Sequence, residues 1–406
     1  MTLRRIVVVG GSLGGHRAAQ ALRGLGYDGE LTVVGSEPHR PYDRYPLSKA
    51  FLTGHTDREG LDLDDTPADV AWRVGETATG LDLDERRVVM DHRTTIQFDG
   101  LVVASGARPR DVASVAGVRG AFVLRTVDDA ADLRGVLDAG LRRVVVIGGG
   151  LIGAEVAATA VAGGHDTTLV DPSDVPTRRA VGLPVARYLQ GLHRAAGVHV
   201  RSQTRARALD VRAGAVTGVT LEDGSRLPAD VVLMATGTTP NVEWLQGSGL
   251  AVTGGLWCGP TLHALGTDRV VGVGDVVRAP QPLLDDEPLR VEHWASTLDQ
   301  ADLAAANLLS GADGGRKLGT LPTFGTTIHG ARIRSVGFPQ VADRSCVVWG
   351  SVESGEALLA LGRGDRLVAA VSLNAHGRLA LLAAQLRPGA SLDEVRGEAE
   401  LTSSAG

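Results

Sequence analysis

Residues 142–160 read RRVVVIGGGLIGAEVAATA, and this stretch decides the fold. Its β-branched run at residues 144–147 predicts a short strand that is buried on both faces. Gly148, Gly150 and Gly153 follow in the spacing GxGxxG, and an Ala-rich stretch typical of a helix comes next. Strand, glycine turn and helix in this order are the context that GxGxxG requires, so the sequence predicts a dinucleotide-binding βαβ unit.

Each part of this unit has a physical task. The first glycine permits a tight turn, the second lets the backbone approach a pyrophosphate, and the third lets helix and strand pack closely. The helix is expected to span residues 151–162, and its N-terminus supplies free N–H groups and the positive end of a helix dipole. Asp171 ends the next strand, where a carboxylate would accept hydrogen bonds from a ribose.

Residues 5–20, RIVVVGGSLGGHRAAQ, repeat the pattern near the start of the chain. Gly10, Ser12 and Gly15 occupy the three glycine positions, and Glu37 comes shortly after the next strand. Ser12 is small and can itself face a phosphate. A single GxGxxG is a weak signal, because glycine turns are common in α/β proteins. Two copies, each between strand and helix and each followed by an acidic residue, indicate two dinucleotide sites.

The composition limits the class of protein. A chain of 406 residues is long enough for two or three domains. Its formal net charge of -6 provides no basic field for nucleic acid, and no apolar run reaches the roughly 18 residues that a membrane helix needs. The first strand begins so early that no signal peptide is expected, and the predicted location is the cytoplasm.

The cysteines and histidines carry little functional signal. Cys258 and Cys346 are the only cysteines, they lie far apart, and both are expected to be small buried or half-buried thiols. His16, His165 and His293 show no metal-ligand spacing, so no metal is predicted and each is expected to be structural or exposed.

A family resemblance becomes specific at residues 38–54, PHRPYDRYPLSKAFLTG. This segment resembles PYDRPPLSK of the FAD-dependent, NADH-using ferredoxin reductases that supply bacterial cytochromes P450 and ring-hydroxylating oxygenases. Tyr45 stands where the family has the first proline of a pair, and Lys49 is expected to open a helix. The resemblance extends from Arg4 to about Gly311 through further collinear motifs: LVVASGA at 101–107, LRTVDDA at 124–130, VVLMATGTTP at 231–240, VGVGDV at 271–276 and RVEHWASTLDQ at 290–300.

The resemblance implies an α/β fold with two Rossmann-like domains and a small α+β C-terminal domain. The FAD-binding domain would comprise residues 1–112 and 243–319, with the NAD-binding domain, residues 113–242, inserted between the two segments. The C-terminal domain would span residues 320–406. Its sequence predicts strands at 346–349 and 367–371 and a helix at 378–386.

The resemblance also implies the site residues. FAD would be bound by Gly10, Ser12, Leu13, Gly14, Gly15, Glu37, Arg44, Lys49, Ala104, Ser105, Gly106, Arg125, Asp275 and Trp294. NAD would be bound by Gly148, Gly150, Leu151, Ile152, Gly153, Glu155, Asp171, Arg179 and Gly237.

Lys49 and Glu155 are the candidate catalytic residues, since by resemblance they meet near the reacting rings of the two cofactors. A lysine there would stabilise the negative charge of a reduced flavin. The alternatives are a solvated surface lysine and a glutamate that interacts with the helix dipole. Asp171 favours NADH over NADPH because a carboxylate repels a 2′-phosphate, although Arg178, which the family lacks, would weaken this discrimination. Trp294 would flank the flavin ring or, alternatively, lie in the core.

One stretch departs from the family. The pattern PYFWSDQYG appears as PTFGTTIHG at residues 322–330, so that Gly325, Thr327 and Ile328 replace Trp, Asp and Gln. Gly325 removes a stacking surface. The departure concerns the partner contact and the route by which electrons leave.

The predicted function is transfer of electrons from NADH through FAD to an iron–sulfur ferredoxin that supplies a P450 or an oxygenase. A disulfide, peroxide or coenzyme-A disulfide reductase would need a reactive thiol beside the flavin, and residues 44–49 contain no cysteine. An NADH-binding signalling or NADH oxidase-type flavoprotein without a ferredoxin partner stays open, as does, less favoured, a flavin monooxygenase. The predicted protein is a monomer or homodimer that binds neither nucleic acid nor membrane.

Overall fold

The computed structural model describes residues 3–65, 67–110, 115–311 and 314–397. The predicted domain boundary at residues 112 and 113 and the two ends of the chain lie outside these ranges. The chain divides into two compact units. The first unit comprises residues 1–43, 61–108 and 239–323, and the second comprises residues 44–60, 109–238 and 324–406.

Helices are present in both units. The first unit contains α1 (Leu13–Gly24) and α6 (Trp294–Ser310). The second contains α2 (Val127–Asp138), α3 (Leu151–Ala162), α4 (Arg178–Val181), α5 (Leu183–Ala195) and α7 (His376–Ala383). In the described ranges, no helix combines the length and the hydropathy that crossing a membrane requires.

The first unit is built on a five-stranded parallel sheet in the order β19-β7-β1-β2-β3. Its strands are β1 (Arg5–Val9), β2 (Glu30–Gly35), β3 (Ala71–Val74), β7 (Gly100–Val103) and β19 (Val270–Gly272). Two further three-stranded sheets consist of β4 (Ala78–Asp82), β5 (Arg87–Met90) and β6 (Thr95–Gln97), and of β18 (Leu256–Trp257), β20 (Val277–Gln281) and β21 (Glu287–Arg290). The strands β8 (Ala107–Pro109) and β17 (Thr238–Pro240) form a two-stranded sheet.

The second unit contains another five-stranded parallel sheet in the order β12-β11-β10-β16-β9. Its strands are β9 (Ala121–Phe122), β10 (Arg143–Ile147), β11 (Asp166–Asp171), β12 (His199–Ser202) and β16 (Val231–Met234). A three-stranded sheet follows, made of β13 (Ala206–Arg212), β14 (Ala215–Leu221) and β15 (Arg226–Pro228).

The C-terminal part of the second unit is a five-stranded sheet in the order β22-β23-β26-β25-β24, with α7 packed on it. Its strands are β22 (Thr323–Ile328), β23 (Ala331–Gly337), β24 (Arg344–Ser351), β25 (Glu356–Arg363) and β26 (Arg366–Leu373). β23 pairs with β26, β26 with β25, and β25 with β24, and all three pairings are antiparallel. Apolar residues of this sheet share one hydrophobic core with residues of α3, α4 and α5.

Local sequence explains why both parallel sheets form as predicted. β1 and β10 are runs of Val and Ile whose side chains are almost all buried, as central parallel strands require. Each leads through a glycine turn into a helix and then into the neighbouring parallel strand, which is the right-handed βαβ connection. The α/β fold class with two Rossmann-like parallel sheets and a C-terminal α+β part is therefore confirmed.

One predicted element is wrong, and one is displaced. Lys49 does not open a helix, because residues 45–54 form consecutive turns. The backbone N–H groups of this segment donate to carbonyl oxygens three, four or five residues earlier, as in Lys49 N to Pro46 O and Phe51 N to Pro46 O. The regular i to i−4 hydrogen bonding of an α-helix is therefore not formed. The helix expected at 378–386 is present as His376–Ala383, whereas both strands predicted in the C-terminal region are found.

Candidate functional site

The glycine turn between β10 and α3 is shaped by close backbone contacts. Gly148 has a φ of +106°, and a Cβ atom on it would lie 2.3 Å from the carbonyl oxygen of Ala235. A Cβ on Gly153 would lie 1.9 Å from the carbonyl oxygen of Gly148. These two glycines are therefore required by the protein's own packing, as the sequence predicts for the first and third positions.

Gly150 is different, because nothing in the structure lies within 4 Å of where its Cβ would be. It is the N-cap of α3 in an extended conformation, with φ of -71° and ψ of -175°. The first N–H groups of a helix have no intrahelical partner. Open space in front of a glycine at a helix N-terminus suits the close approach of a pyrophosphate, so this turn fits the predicted dinucleotide.

Asp171 has a role within the turn that the sequence did not reveal. Its carboxylate accepts hydrogen bonds from the backbone N–H of Gly149 and from both the N–H and the hydroxyl of Ser173. Asp171 is buried, and a Cβ on Gly149 would lie 3.0 Å from the carboxylate. The carboxylate therefore fixes the glycine turn itself, and its contact with a ribose stays a prediction.

The remaining residues assigned to NAD lie in the same unit. Arg178 forms an exposed ion pair at 2.9 Å with Asp174, which lies in the bend before α4, so its charge is partly neutralised. Arg179 is exposed. Gly237 adopts a φ of +103° and accepts a backbone hydrogen bond from Arg110 at 2.8 Å.

Lys49 and Glu155 are brought together within the second unit. The Lys49 Nζ donates to Glu155 Oε2 at 2.7 Å, and the glutamate side chain is only 6% exposed. Glu155 lies in the second turn of α3, shortly after the glycine turn. The two candidate catalytic residues thus form a largely buried ion pair near the N-terminus of α3, although their catalytic role stays a prediction.

Two hydroxyl groups complete the surroundings of Glu155, and the sequence analysis missed both. Ser48 donates to Oε2, and Thr326 of β22 donates to Oε1. A buried carboxylate needs such donors, because an unsatisfied charge in the interior is costly. Ser48 was detectable as the neighbour of Lys49, but Thr326 lies 171 residues from Glu155 along the chain and had no local signal.

The turn between β1 and α1 in the first unit repeats the geometry of the other glycine turn. Gly10 has a φ of +127°, and a Cβ on it would lie 2.0 Å from the carbonyl oxygen of Ala104. A Cβ on Gly15 would lie 1.8 Å from the carbonyl oxygen of Gly10. Ser12 is the N-cap of α1 in an extended conformation, as Gly150 is for α3. This turn, too, fits a dinucleotide pyrophosphate.

Three residues of the first unit that were assigned to FAD follow a strand or begin a helix. Glu37 follows β2 and accepts a hydrogen bond from the Tyr42 hydroxyl. Asp275 lies in a 3₁₀ turn after β19, and its backbone carbonyl accepts from Arg290 at 2.6 Å. Trp294, the first residue of α6, is 46% exposed, so the alternative of a core tryptophan is wrong.

The residues assigned to FAD do not all belong to one unit. Those in the first unit are Gly10, Ser12, Leu13, Gly14, Gly15, Glu37, Ala104, Ser105, Gly106, Asp275 and Trp294. Arg44, Lys49 and Arg125 belong to the second unit, where Arg44 donates to the Arg125 carbonyl at 2.7 Å.

Neither cysteine is activated. Burial raises the pKa of the Cys258 thiol to about 12 and raises the pKa of Cys346 as well, so both are protonated near neutral pH. The expectation of buried and half-buried thiols is confirmed. Burial also lowers the pKa of His293 to about 4, with the Asp275 carboxylate opposing this shift, so His293 is neutral near pH 7.

Comparison with known proteins identifies the family. The family described as pyridine nucleotide-disulphide oxidoreductase matches residues 4–301. Rhodocoxin reductase of Rhodococcus erythropolis is 34% identical over 376 residues, which cover 91% of this chain and 86% of that protein. The ferredoxin–NAD(+) reductase component of the biphenyl dioxygenase system of Paraburkholderia xenovorans is 32% identical over 375 residues, covering 91% and 90%.

A solved structure agrees with these relatives. The covalent putidaredoxin reductase–putidaredoxin complex contains a chain that is 31% identical, with a TM-score of 0.87 and coverage of 94% of this chain and 93% of that one. The resemblance stated from the sequence is thereby confirmed. The chain belongs to the pyridine nucleotide-disulphide oxidoreductase family and is an oxidoreductase of its ferredoxin reductase branch.

Proposed function

We propose that the protein passes electrons from NADH through FAD to an iron–sulfur ferredoxin, which supplies a cytochrome P450 or a ring-hydroxylating oxygenase. The observation that carries this proposal is the presence of one tightly packed glycine turn at a helix N-terminus in each unit. Two such turns in one chain support two dinucleotides, and the related ferredoxin reductases support a ferredoxin as acceptor.

FAD is assigned to the residues expected for it from the sequence, and NADH is assigned to the turn before α3. The proposed domains keep the boundaries expected from the sequence: residues 1–112 and 243–319 for FAD, 113–242 for NAD and 320–406 for the C-terminal domain. NADH is preferred to NADPH because Asp171 places a carboxylate at the end of β11 and Arg178 is already paired with Asp174. The proposed location is the cytoplasm.

Bound FAD supplies the step that the protein cannot perform alone, acceptance of two electrons as hydride and their release one at a time. The protein binds and orients. Lys49 keeps a positive charge close to the dinucleotide-binding helix, where it stabilises negative charge that develops on a reduced cofactor. Glu155 holds the lysine in place by the 2.7 Å ion pair, and the hydroxyls of Ser48 and Thr326 hold the glutamate.

The experiment is an NADH-dependent reduction assay with the FAD-loaded protein and two acceptors. Ferricyanide takes electrons directly, whereas cytochrome c is reduced through added putidaredoxin, the partner in the related solved complex. We expect cytochrome c reduction to depend on NADH, on the protein and on the ferredoxin. Reduction of ferricyanide with no stimulation by any iron–sulfur ferredoxin would refute the proposed acceptor.

The second candidate is an NADH-binding signalling or NADH oxidase-type flavoprotein. The feature that keeps it in view is Gly325, at the position where the family has an aromatic residue. Slow reduction by NADH, followed by a long-lived complex between oxidised nicotinamide and reduced flavin, favours this second candidate. Fast turnover only in the presence of ferredoxin excludes it.

A further inference from the structure

Two positions at which this chain departs from its family lie in contact. Tyr45 stands where the family has proline, and Gly325 stands where it has an aromatic residue. The Tyr45 hydroxyl donates to the carbonyl oxygen of Gly325 at 3.3 Å, and both residues belong to the second unit. The two departures are therefore neighbours in the fold: an aromatic ring is absent from one chain segment and present on the adjoining one.

Nothing in the backbone requires a glycine at position 325. It does not have a positive φ, and a Cβ there would meet only Arg334 Cγ and Ile333 O, both at the ordinary contact distance of 3.7 Å. A side chain could therefore be restored without strain at this position. The contact with Tyr45 is made by the backbone carbonyl of Gly325 and not through its side-chain position.

The ring of Tyr45 lies against the candidate catalytic pair. The Lys49 Nζ lies 4.1 Å from the centre of the ring, and the same nitrogen donates to Glu155. Exposure falls steadily along this series, from 46% for Tyr45 to 21% for the Lys49 side chain and 6% for that of Glu155. The ring thus covers the ammonium group on its solvent side, while the carboxylate holds it from within.

We propose that Tyr45 is a positioning residue for Lys49: its ring caps the ammonium group and keeps Nζ on Glu155. This inference rests on the proposed function for the role of Lys49, but not for the contact itself. An aromatic face attracts a cation and shields it from water. The hydroxyl of Tyr45 anchors the ring to the backbone of β22, so the ring is held in the capping position.

An unusual feature of the sequence makes the contact directly measurable. The chain contains only two lysines, Lys49 and Lys317, among 41 basic Lys and Arg residues. Full-length FAD-loaded protein grown with ¹³C-labelled lysine gives NMR signals from two side chains, and Lys317→Arg assigns them. Protons above an aromatic face are shielded, so the Lys49 Hε signals of the wild type should lie upfield of those of Lys317.

The test compares Tyr45→Leu with Tyr45→Phe. The phenylalanine variant keeps the ring and should keep the upfield Lys49 signals, whereas the leucine variant should move them toward the position of Lys317. Lys49 signals that are the same in Tyr45→Leu and in the wild type would overturn the proposal, whatever the reaction rates.

The rate of flavin reduction by NADH provides the second readout. We expect Tyr45→Leu to lower it by roughly 2- to 30-fold, the range of a lost cation–π contact, with Tyr45→Phe close to the wild type. The double variant Tyr45→Pro with Gly325→Trp restores the family pattern and should recover the rate. If the NMR signals move but Tyr45→Leu reduces the flavin as fast as the wild type, Tyr45 contacts Lys49 without positioning it for the reaction, and the proposed positioning role is overturned.

Discussion

Removal of one hydroxyl group tests whether Glu155 is held as the structure indicates. Thr326→Val keeps the shape of the side chain and deletes the donor to Glu155 Oε1. Thr326 is 3% exposed and Glu155 6%, so water cannot readily replace the lost hydrogen bond. A hydrogen bond to a charged group contributes about 1.5–3 kcal/mol to stability, and we expect the free energy of unfolding to fall by that amount.

The assay is urea denaturation of the wild type and of a double-mutant cycle with Glu155→Gln. When the carboxylate is replaced by a neutral amide, the hydrogen bond becomes a neutral one, and the cost of Thr326→Val should fall to about 0.5–1.5 kcal/mol. Thr327→Val is the matched control, because Thr327 is exposed on the same strand and its substitution should change stability by less than about 0.5 kcal/mol.

Two results would refute the reasoning. One is a cost for Thr326→Val no larger than that for Thr327→Val. The other is an equal cost with and without the Glu155 carboxylate, which would mean that the hydroxyl stabilises something other than this ion pair. Either result would remove Thr326 from the group of residues that position Glu155.

Three further predictions concern other parts of the molecule. Gly150→Ala should have a stability within about 1 kcal/mol of the wild type, since its Cβ meets only open space, and yet it should bind NADH weakly. Gly153→Ala should be strongly destabilised, because its Cβ would lie 1.9 Å from a carbonyl oxygen. Equal melting temperatures for the two variants would contradict this prediction. Burial lowers the pKa of His193 to about 4. Between pH 6.5 and about 4, His193 is therefore protonated in the unfolded chain but neutral in the folded one. The contribution of His193 to the free energy of unfolding is therefore fully present above pH 6.5 and falls by roughly 3 kcal/mol as the pH drops to about 4. His193→Gln should flatten the pH dependence of the melting temperature over that range. An unchanged slope would contradict the lowered pKa of His193. Replacement of Cys258 and Cys346 by Ala should leave ferredoxin-dependent turnover intact, because both thiols are protonated, and loss of turnover in a folded double variant would revive a thiol mechanism.

Much of the fold could be predicted because its signals are local. The helix expected at residues 151–162 is α3 with the same bounds. The GxGxxG spacing is a local motif and it locates both glycine turns, although Gly148 and Gly10 also meet carbonyl oxygens of the distant Ala235 and Ala104. The family, the enzyme class and the α/β fold predicted from these motifs are confirmed.

The parts that could not be predicted depend on residues distant in sequence. The contact of Glu155 with Thr326 joins segments 171 residues apart, and no periodicity reports it. The meeting of Glu155 with Lys49 was expected only from the family resemblance, because these two residues are also distant along the chain. The turns at residues 45–54 replace an expected helix because tertiary contacts, such as that of Ser48 with Glu155, fix this segment. The core shared by the C-terminal sheet and α3–α5 likewise has no local signature.

The central claim is that one chain holds FAD and NADH so that electrons pass between them. The most direct measurement is rapid anaerobic mixing of the FAD-loaded protein with NADH, followed through the visible absorbance of the flavin. We expect that NADH bleaches the flavin of the wild type, and that Gly150→Ala needs a much higher NADH concentration for the same rate. A protein that refolds without taking up FAD, or a bound flavin that stays oxidised in excess NADH, would contradict it.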